Sequence, residues 1–365
     1  MRITSGDRIF FTLVLVLVFA GLAIFSSAAL GLLARENSSI SKDILLQAGL
    51  GIGLGLLALF ATRSVALSWV KRSVLYIYGA TLLLTALVFV PGIGFHSGGA
   101  TRWINLGFTT VQPAEFLKIG FVLLLAWWLA PRTRQLNDPK KGLVPFLIML
   151  VLPSALLILQ PNTSTMLLIL ITGAIMYFAA GAPWRDFGIL ALGLILALGI
   201  ILVARPYVRQ RVETFFHPSA NSLGSGYQIQ QSLIAVGSGG LLGKGLGQSV
   251  EKFNYLPEPD GDSVFAVFAE EAGFVGALIL VALFLALAAR GIVIAGDSTD
   301  LFGGLITLGF SLVIILQAFI NIGAMLGIIP LTGQPLPFIS HGGTALVATL
   351  IMCGFILNVA MHRKA

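Results

Sequence analysis

Apolar residues along this chain gather into ten long stretches, and polar residues gather between them. The stretches cover about residues 9–33, 44–61, 73–90, 114–130, 143–159, 165–180, 187–204, 263–289, 301–328 and 342–361. A helix needs about 20 mostly apolar residues to cross a bilayer. The pattern therefore predicts an all-α integral membrane protein of about ten spans, built as one domain over residues 1–365. One long loop, about residues 205–262, separates the seventh and eighth spans. The first stretch follows a basic start, but its roughly 25 apolar residues exceed the 7–15 of a signal-peptide core, so it is expected to stay as a span.

Composition excludes a water-soluble protein. The chain is 57% hydrophobic and 10% charged, with a mean hydropathy of +0.97, where soluble domains have about 45–50% apolar and about 25% charged residues. The net charge of +7 is a topology signal. With the N-terminus in the cytoplasm, thirteen of the 22 basic residues fall on inner segments, among them Arg63, Lys71, Arg72, Arg132, Arg134, Lys140 and Lys141. The short outer loops carry only Arg35, Lys42 and Arg102. This asymmetry predicts an N-in, C-in orientation. No basic cluster is dense enough for nucleic acid. A single cysteine, Cys353, excludes an intramolecular disulfide and any multi-cysteine metal site.

Some look-alike motifs fail on spacing. The run Gly237–Gly247, GSGGLLGKGLG, lacks both the first glycine of a P-loop and the hydroxyl residue after its lysine. It also lacks the third glycine of a dinucleotide fingerprint. No G-x-S-x-G elbow is present, and His96, His217, His341 and His362 lack zinc spacing.

The remaining polar chemistry sits at the proposed outer face, in residues 91–115, 160–165, 205–262 and 330–343. Ionisable groups inside spans are expensive and hence informative. Glu115 and Lys118 share one helical face, either as an ion pair or as a cavity wall. Glu270, with Glu271 beside it, lies about 12 Å along a helix from Asp262, and at least one of the two needs a cation or a proton. The cluster Glu258-Pro259-Asp260-Gly261-Asp262 can supply a general base or hold a divalent cation. It also reads as a loop that caps a helix. Arg102-Trp103 suits an anionic headgroup beside an interfacial aromatic. Gln112, Gln160, Gln228, Gln230 and Gln231 suit sugar or amide groups. Pro330, Pro335 and Pro337 with Gly342-Gly343 break the chain between the last two spans, which membrane depth tolerates only where the backbone is buried or lines a cavity.

Taken in order, these motifs resemble the SEDS family (shape, elongation, division and sporulation) almost end to end. Arg102-Trp103-Ile104 with Gln112-Pro113-Ala114-Glu115 and Lys118 resembles its R-W-I…Q-P-S/A-E…K signature. Gly226-Tyr227-Gln228, Gln231-Ser232 and Gly237–Gly240 resemble its long outer loop. Tyr255-Leu256-Pro257-Glu258, Asp262 and Glu270-Glu271 resemble its L-P-E…T-D…E-E block, and Pro335–Ser340 with Gly342-Gly343 its P-L-P-F-x-S-Y-G-G block. Three places depart from the pattern. Gln160–Thr165 loses an acid and a glycine, Asp260-Gly261-Asp262 replaces H-T-D, and His341 replaces a tyrosine. Gly245–Ser249 and Lys252 look more like the FtsW (division) branch.

The resemblance implies a peptidoglycan polymerase in the bacterial cytoplasmic membrane. Lipid II units would be joined into glycan strands by inverting glycosyl transfer at the outer face. Asp262 carries the catalytic role, with Arg102, Trp103, Gln112, Glu115, Lys118, Gln160, Gln228, Gln231, Lys244, Glu258, Asp260, Glu271 and Ser340 expected to bind substrate or line the cavity. A divalent cation, Mg2+ or Mn2+, is expected, with Asp262 as its possible ligand, and no organic cofactor. Expected partners are a class B penicillin-binding protein, lipid II, membrane lipid and other divisome or elongasome proteins. The alternatives are a lipid II flippase, which needs polar paths to both faces, and a non-catalytic division scaffold.

Overall fold

A computed structural model describes residues 5–33, 46–97, 100–107, 109–217 and 224–362. Arg2, Arg35, Lys42, Arg363 and Lys364 lie outside the described residues. Each of the ten predicted stretches has a helical counterpart. In chain order these are α1 (Ser5–Leu33), α2 (Leu54–Ser64, entered through a π-helical stretch Leu46–Gly53), α3 (Leu67–Leu87), α4 (Pro113–Leu129), α5 (Leu143–Leu159), α6 (Thr163–Ala179) and α7 (Trp184–Ala204). After the long loop come α11 (Val264–Gly296), α12 (Leu301–Met325) and α13 (Gly343–Ala360). Six of the ten are long and apolar enough to cross a membrane unaided, and the others are shorter. The protein is an all-α multi-pass membrane protein in its bulk.

Two parts of that reading are refined. After α3 comes a small antiparallel sheet of β1 (Gly94–Ser97), β2 (Ala100–Asn105) and β3 (Thr110–Val111), a unit too short for a hydropathy pattern to register. The long loop is itself helical, with α8 (Pro206–Phe216), α9 (Ser225–Ser238) and the single turn α10 (Glu251–Asn254).

Helix α4 is the central post. Nearly all of its residues are buried, as expected of a helix that is apolar all round. Around it stand α3, α6, α12 and α13. Helix α7 is the opposite case: only Asp186 and Ile201 on it are buried, and Ile189, Leu192, Ile195, Leu196 and Ile200 face outward. At one end of the bundle, Asn358 Nδ2 donates to Thr62 O and Val65 O, and Thr299 Oγ1 donates to His362 O. That end gathers the α2–α3 and α11–α12 turns and the end of α13, with Arg63, Lys71 and Arg72 among their basic residues. The polar segments all lie at the other end.

Helix α11 is broken at Gly273 (φ 69°, ψ −170°). Residues 274–296 span about 34 Å, matching α12. Both ends of the remaining nine residues, 264–272, meet the top of α12. The preceding Asp262 carbonyl accepts from Asn321 Nδ2 at 2.8 Å. Gly273 and Phe274 share a cavity of about 320 Å³ with Ile322 and Leu326. This half-helix therefore lies flat across the bundle end.

The glycine-rich run 239–245 threads into the break. Lys244 N donates to Glu270 O and Gly245 N to Glu271 O, both at 3.0 Å, while Phe274 N and Val275 N donate to Gly240 O and Leu241 O at 2.9 and 3.1 Å. Backbone–backbone contact this close leaves no room for a Cβ. One on Gly243 (φ +79°) would lie 2.1 Å from Glu271 O. Gly243→Ala is expected to lower the thermal unfolding midpoint in detergent by several degrees or to abolish folding. Gly237→Ala, whose Cβ would meet nothing within 4 Å, is expected to leave the midpoint within about 2 °C. Thermal unfolding of the two purified variants checks this.

Candidate active site

The site is built where the flat half-helix begins. Asp262 immediately precedes Ser263 at its N-terminus. Asp262 Oδ1 accepts from Gln228 Nε2 of α9 at 3.0 Å, and the same amide donates to Ser263 Oγ at 2.9 Å. Asp262 is half-buried. Burial, then the negative charge of Glu258, push its pKa up to about 6, against the opposing pull of Gln228 and Arg211.

Arg211, on α8, donates through Nη1 to Leu331 O and Thr332 O, both at 3.2 Å. A Cβ on Gly333 would lie 3.8 Å from Arg211 Nη2 and 3.9 Å from Asp262 Oδ2, so guanidinium and carboxylate converge on that glycine. Arg102, on β2, donates through Nε to Gln160 O at 3.3 Å and through Nη2 to Pro161 O. Burial, then the positive charge of Arg211, hold its pKa below the usual arginine value. Two desolvated guanidiniums near one another call for an anion. By sequence, Arg211 is only one of five basic residues of the long outer loop, with Arg205, Arg209, Lys244 and Lys252. Its signal was there in α8, whose Arg209 and Arg211 fall on different faces, but only the fold turns one inward.

The segment 330–342 is irregular backbone, largely buried but with Gly333 and His341 exposed, as membrane depth allows where the backbone lines a cavity. Leu336, Phe338 and Ile339 are core residues, and a Cβ on Gly21, in the middle of α1, would strike Phe338 O. Its carbonyls are claimed by side chains from every side: Pro335 O by Gln317, Gln334 O by Asn321, and Thr332 O by Ser164. Ser340 Oγ accepts from Leu336 N at 2.7 Å, so Ser340 closes this segment on itself. Gln317 and Asn321, neither singled out by sequence, carry the wall behind Asp262.

Lys118 donates to Glu115 Oε2 at 2.7 Å and to Gln317 Oε1 at 2.6 Å. All three are buried, so this pair sits one layer behind the turn that carries Asp262. Gln160 Nε2 is spent on Thr85 O. Among the described residues, the buried atoms Gln160 Oε1, Asn162 Nδ2, Asn321 Oδ1 and Gln334 Oε1 have no partner, a polar lining ready for water or hydroxyl groups. Trp103 lies on β2 opposite Phe95, Gln112 precedes α4, and Gln231 lies one turn after Gln228 on α9.

Lys244 and Glu271 stand apart, at the far end of the flat half-helix, about 12 Å from Asp262 along it. Lys244 Nζ lies 2.6 Å from Glu270 Oε1. Lys252 Nζ lies 2.6 Å from Glu271 Oε1, and Ser27 Oγ of α1 donates to the same carboxylate. These pairs pin residues 244–252 to α11 and α1. Breaking one partner of a buried pair costs about 3–5 kcal/mol. Lys252→Met is therefore expected to destabilise more than the double variant Lys252→Met/Glu271→Gln, which leaves no unpaired charge. Thermal unfolding midpoints in detergent read the order.

Comparison with known proteins agrees with this architecture. A family model described as "Cell cycle protein" (FtsW, RodA, SpoVE) matches residues 7–365. Stage V sporulation protein E of Bacillus subtilis is 37% identical over 99% of this chain and 98% of its own length. A probable peptidoglycan glycosyltransferase FtsW of Idiomarina loihiensis is 35% identical over 98% and 88%. Peptidoglycan glycosyltransferase MrdB of Escherichia coli is 33% identical over 99% and 96%. Identities this close do not separate the branches. Among solved structures, a chain from work described as "Structural coordination of polymerization and crosslinking by a peptidoglycan synthase complex" superposes with a TM-score of 0.77 at 29% identity, covering 97% of both chains. The crystal structure of Thermus thermophilus RodA superposes at 0.68 with 29% identity, covering 96% of this chain and 97% of that one.

Proposed function

Because the chain belongs to the FtsW–RodA–SpoVE family of cell cycle proteins, we propose that it is a peptidoglycan glycosyltransferase in which Asp262 is the general base. Its substrate is lipid II, and it works at the outer face of the bacterial cytoplasmic membrane. The observation that carries this reading is the convergence of a half-buried carboxylate with two desolvated guanidiniums at one end of a membrane bundle.

An acceptor sugar hydroxyl is a weak nucleophile and must lose its proton as it bonds to the anomeric carbon. Asp262 Oδ1 is held by Gln228, which leaves Oδ2, facing Gly333, to take that proton. A carboxylate whose pKa stands near 6 is ionised at neutral pH yet more basic than an ordinary aspartate. On the opposite face of the anomeric carbon, the bond to the lipid diphosphate breaks and its electron pair leaves on oxygen. Arg211 and Arg102 stabilise that charge. Mg2+ is commonly bound by one or two carboxylates plus substrate phosphates, and the mutual repulsion of Glu258 and Asp262 fits such a site. Those two residues would hold a divalent cation, which would supply further neutralisation of the leaving diphosphate.

A class B penicillin-binding protein is the proposed partner, supported by the likeness to a chain of a peptidoglycan synthase complex. Polar groups crowd one end of the bundle, whereas α4 beyond Lys118 buries only apolar residues and Gly120. This favours an enzyme over a flippase with access to both faces.

Asp262→Asn is expected to reduce lipid II polymerisation at least about 100-fold while the protein still elutes as a folded species. In the wild type, kcat/KM should fall about tenfold per pH unit below pH 6 and level off above 7. The folded-state pKa is raised, so stability declines as pH rises through about 6. Asp262→Asn should accordingly raise the thermal midpoint at pH 7.5. Arg211→Gln should lower kcat about 10- to 1000-fold. Glycan-ladder gels and thermal unfolding check these outcomes, and an active Asp262→Asn enzyme would sink the assignment.

A further inference from the structure

The acidic turn 258–262 is met by the end of the buried segment 330–342. The contact is made twice by the same two residues. The His341 amide donates to Asp260 O at 2.7 Å, and His341 Nδ1 lies 3.6 Å from Asp260 Oδ2. Asp260 is 9% exposed, so its carboxylate has lost most of its water and requires a partner. The imidazole is held from the other side by Phe25 of α1, with ring centroids 5.7 Å apart.

The turn itself is closed by Gly261 N and Ser263 N, which both donate to Glu258 O at 3.1 and 3.2 Å. Asp262 is anchored below by Asn321 through its carbonyl. Between Asp260 and Asp262 stands only Gly261, which has no side chain and the widest backbone freedom of any residue. A Cβ there would meet nothing nearer than 3.4 Å, so packing does not hold it. Asp262 is held at its carboxylate by Gln228 and at its carbonyl by Asn321, and what fixes the peptide before Gly261 holds the other side of the turn.

We infer that Asp260 and His341 form a clasp that positions Asp262, joining the end of the buried segment to the catalytic turn through one backbone bond and one carboxylate–imidazole contact. Asp260 and His341 are positioning residues, acting through Asp262. The inference rests on Asp262 being the general base. Its specific content is that the pair acts as a unit and that either order of the two side chains serves.

The test is steady-state lipid II polymerisation by the full chain with its transpeptidase partner. Wild type is compared with Asp262→Asn, Asp260→Asn, His341→Gln, the double variant, and the exchange Asp260→His/His341→Asp. Each single variant is expected to lower kcat about tenfold with KM within about twofold, since small misplacements of a reacting group are costly. The double should be no slower than the slower single, and the exchange should return to within about threefold of wild type. Monodisperse elution and unfolding midpoints accompany each variant. Singles that match wild type, losses that multiply in the double, or an exchange as slow as the singles overturn the clasp. So does a midpoint loss that tracks kcat and is not reversed by the exchange. If Asp262→Asn is inactive while the singles are normal, only the clasp fails; if Asp262→Asn is active, the base assignment fails and the clasp with it.

Discussion

No water reaches the interior of a bilayer, so every peptide N–H and C=O placed there must find a partner inside the protein. That constraint organises this molecule more than any single contact. Two irregular segments enter the bundle, and each is satisfied differently. Residues 239–245 exchange backbone hydrogen bonds with the broken helix α11, turning a gap in one helix into a short shared ladder. The carbonyls of residues 331–335 are satisfied largely by side chains, those of Gln317, Asn321, Ser164 and Arg211. The first device lays a half-helix flat with Asp262 at its start. The second builds the wall that Asp262 faces.

Charge is divided along the same lines. Glu115, Glu270 and Glu271 are each matched by a lysine at 2.6–2.7 Å, and Glu271 is further bound by Ser27. The Glu270 and Glu271 pairs hold elements together, whereas Glu115 keeps one buried oxygen, Oε1, without a partner among the described residues. Asp262 is different. An uncharged amide holds one of its oxygens, and its cationic neighbour Arg211 spends an amino group on carbonyls. The carboxylate is left destabilised as an anion, and that condition lets it accept a proton. The folded state bears the cost of this poorly matched group through the well-matched pairs around it.

Much of this was legible in the chain. Ten apolar stretches correspond to ten helices because hydropathy summed over a span's length overwhelms local detail. The end of the bundle that carries the chemistry followed from where prolines, glutamines and acids interrupt those stretches. The partner of Lys118 was not legible. Glu115 and Glu270 were both open to it; Glu115, one turn away on the same helix, takes it, and Glu270 is bound by Lys244 from the threaded run. The glycine run 239–247, which failed every nucleotide motif, has a structural explanation in the helix break, one a spacing rule cannot express. Three departures from the family pattern were visible as isolated letters, and two of them, Asp260 and His341, meet in space.

The sequence by itself determined the membrane class, the number of spans, the polar end and the identity of Asp262 as the residue to watch, because each depends on composition or on order along the chain. Only the tertiary structure decided that α11 breaks at Gly273, that Arg211 joins Arg102 beside Asp262, and that Lys244 and Glu271 stand apart as clamps. Those outcomes depend on which groups approach within hydrogen-bond distance across 19 to 244 residues of chain, and no local pattern encodes a contact between segments that are not neighbours in sequence.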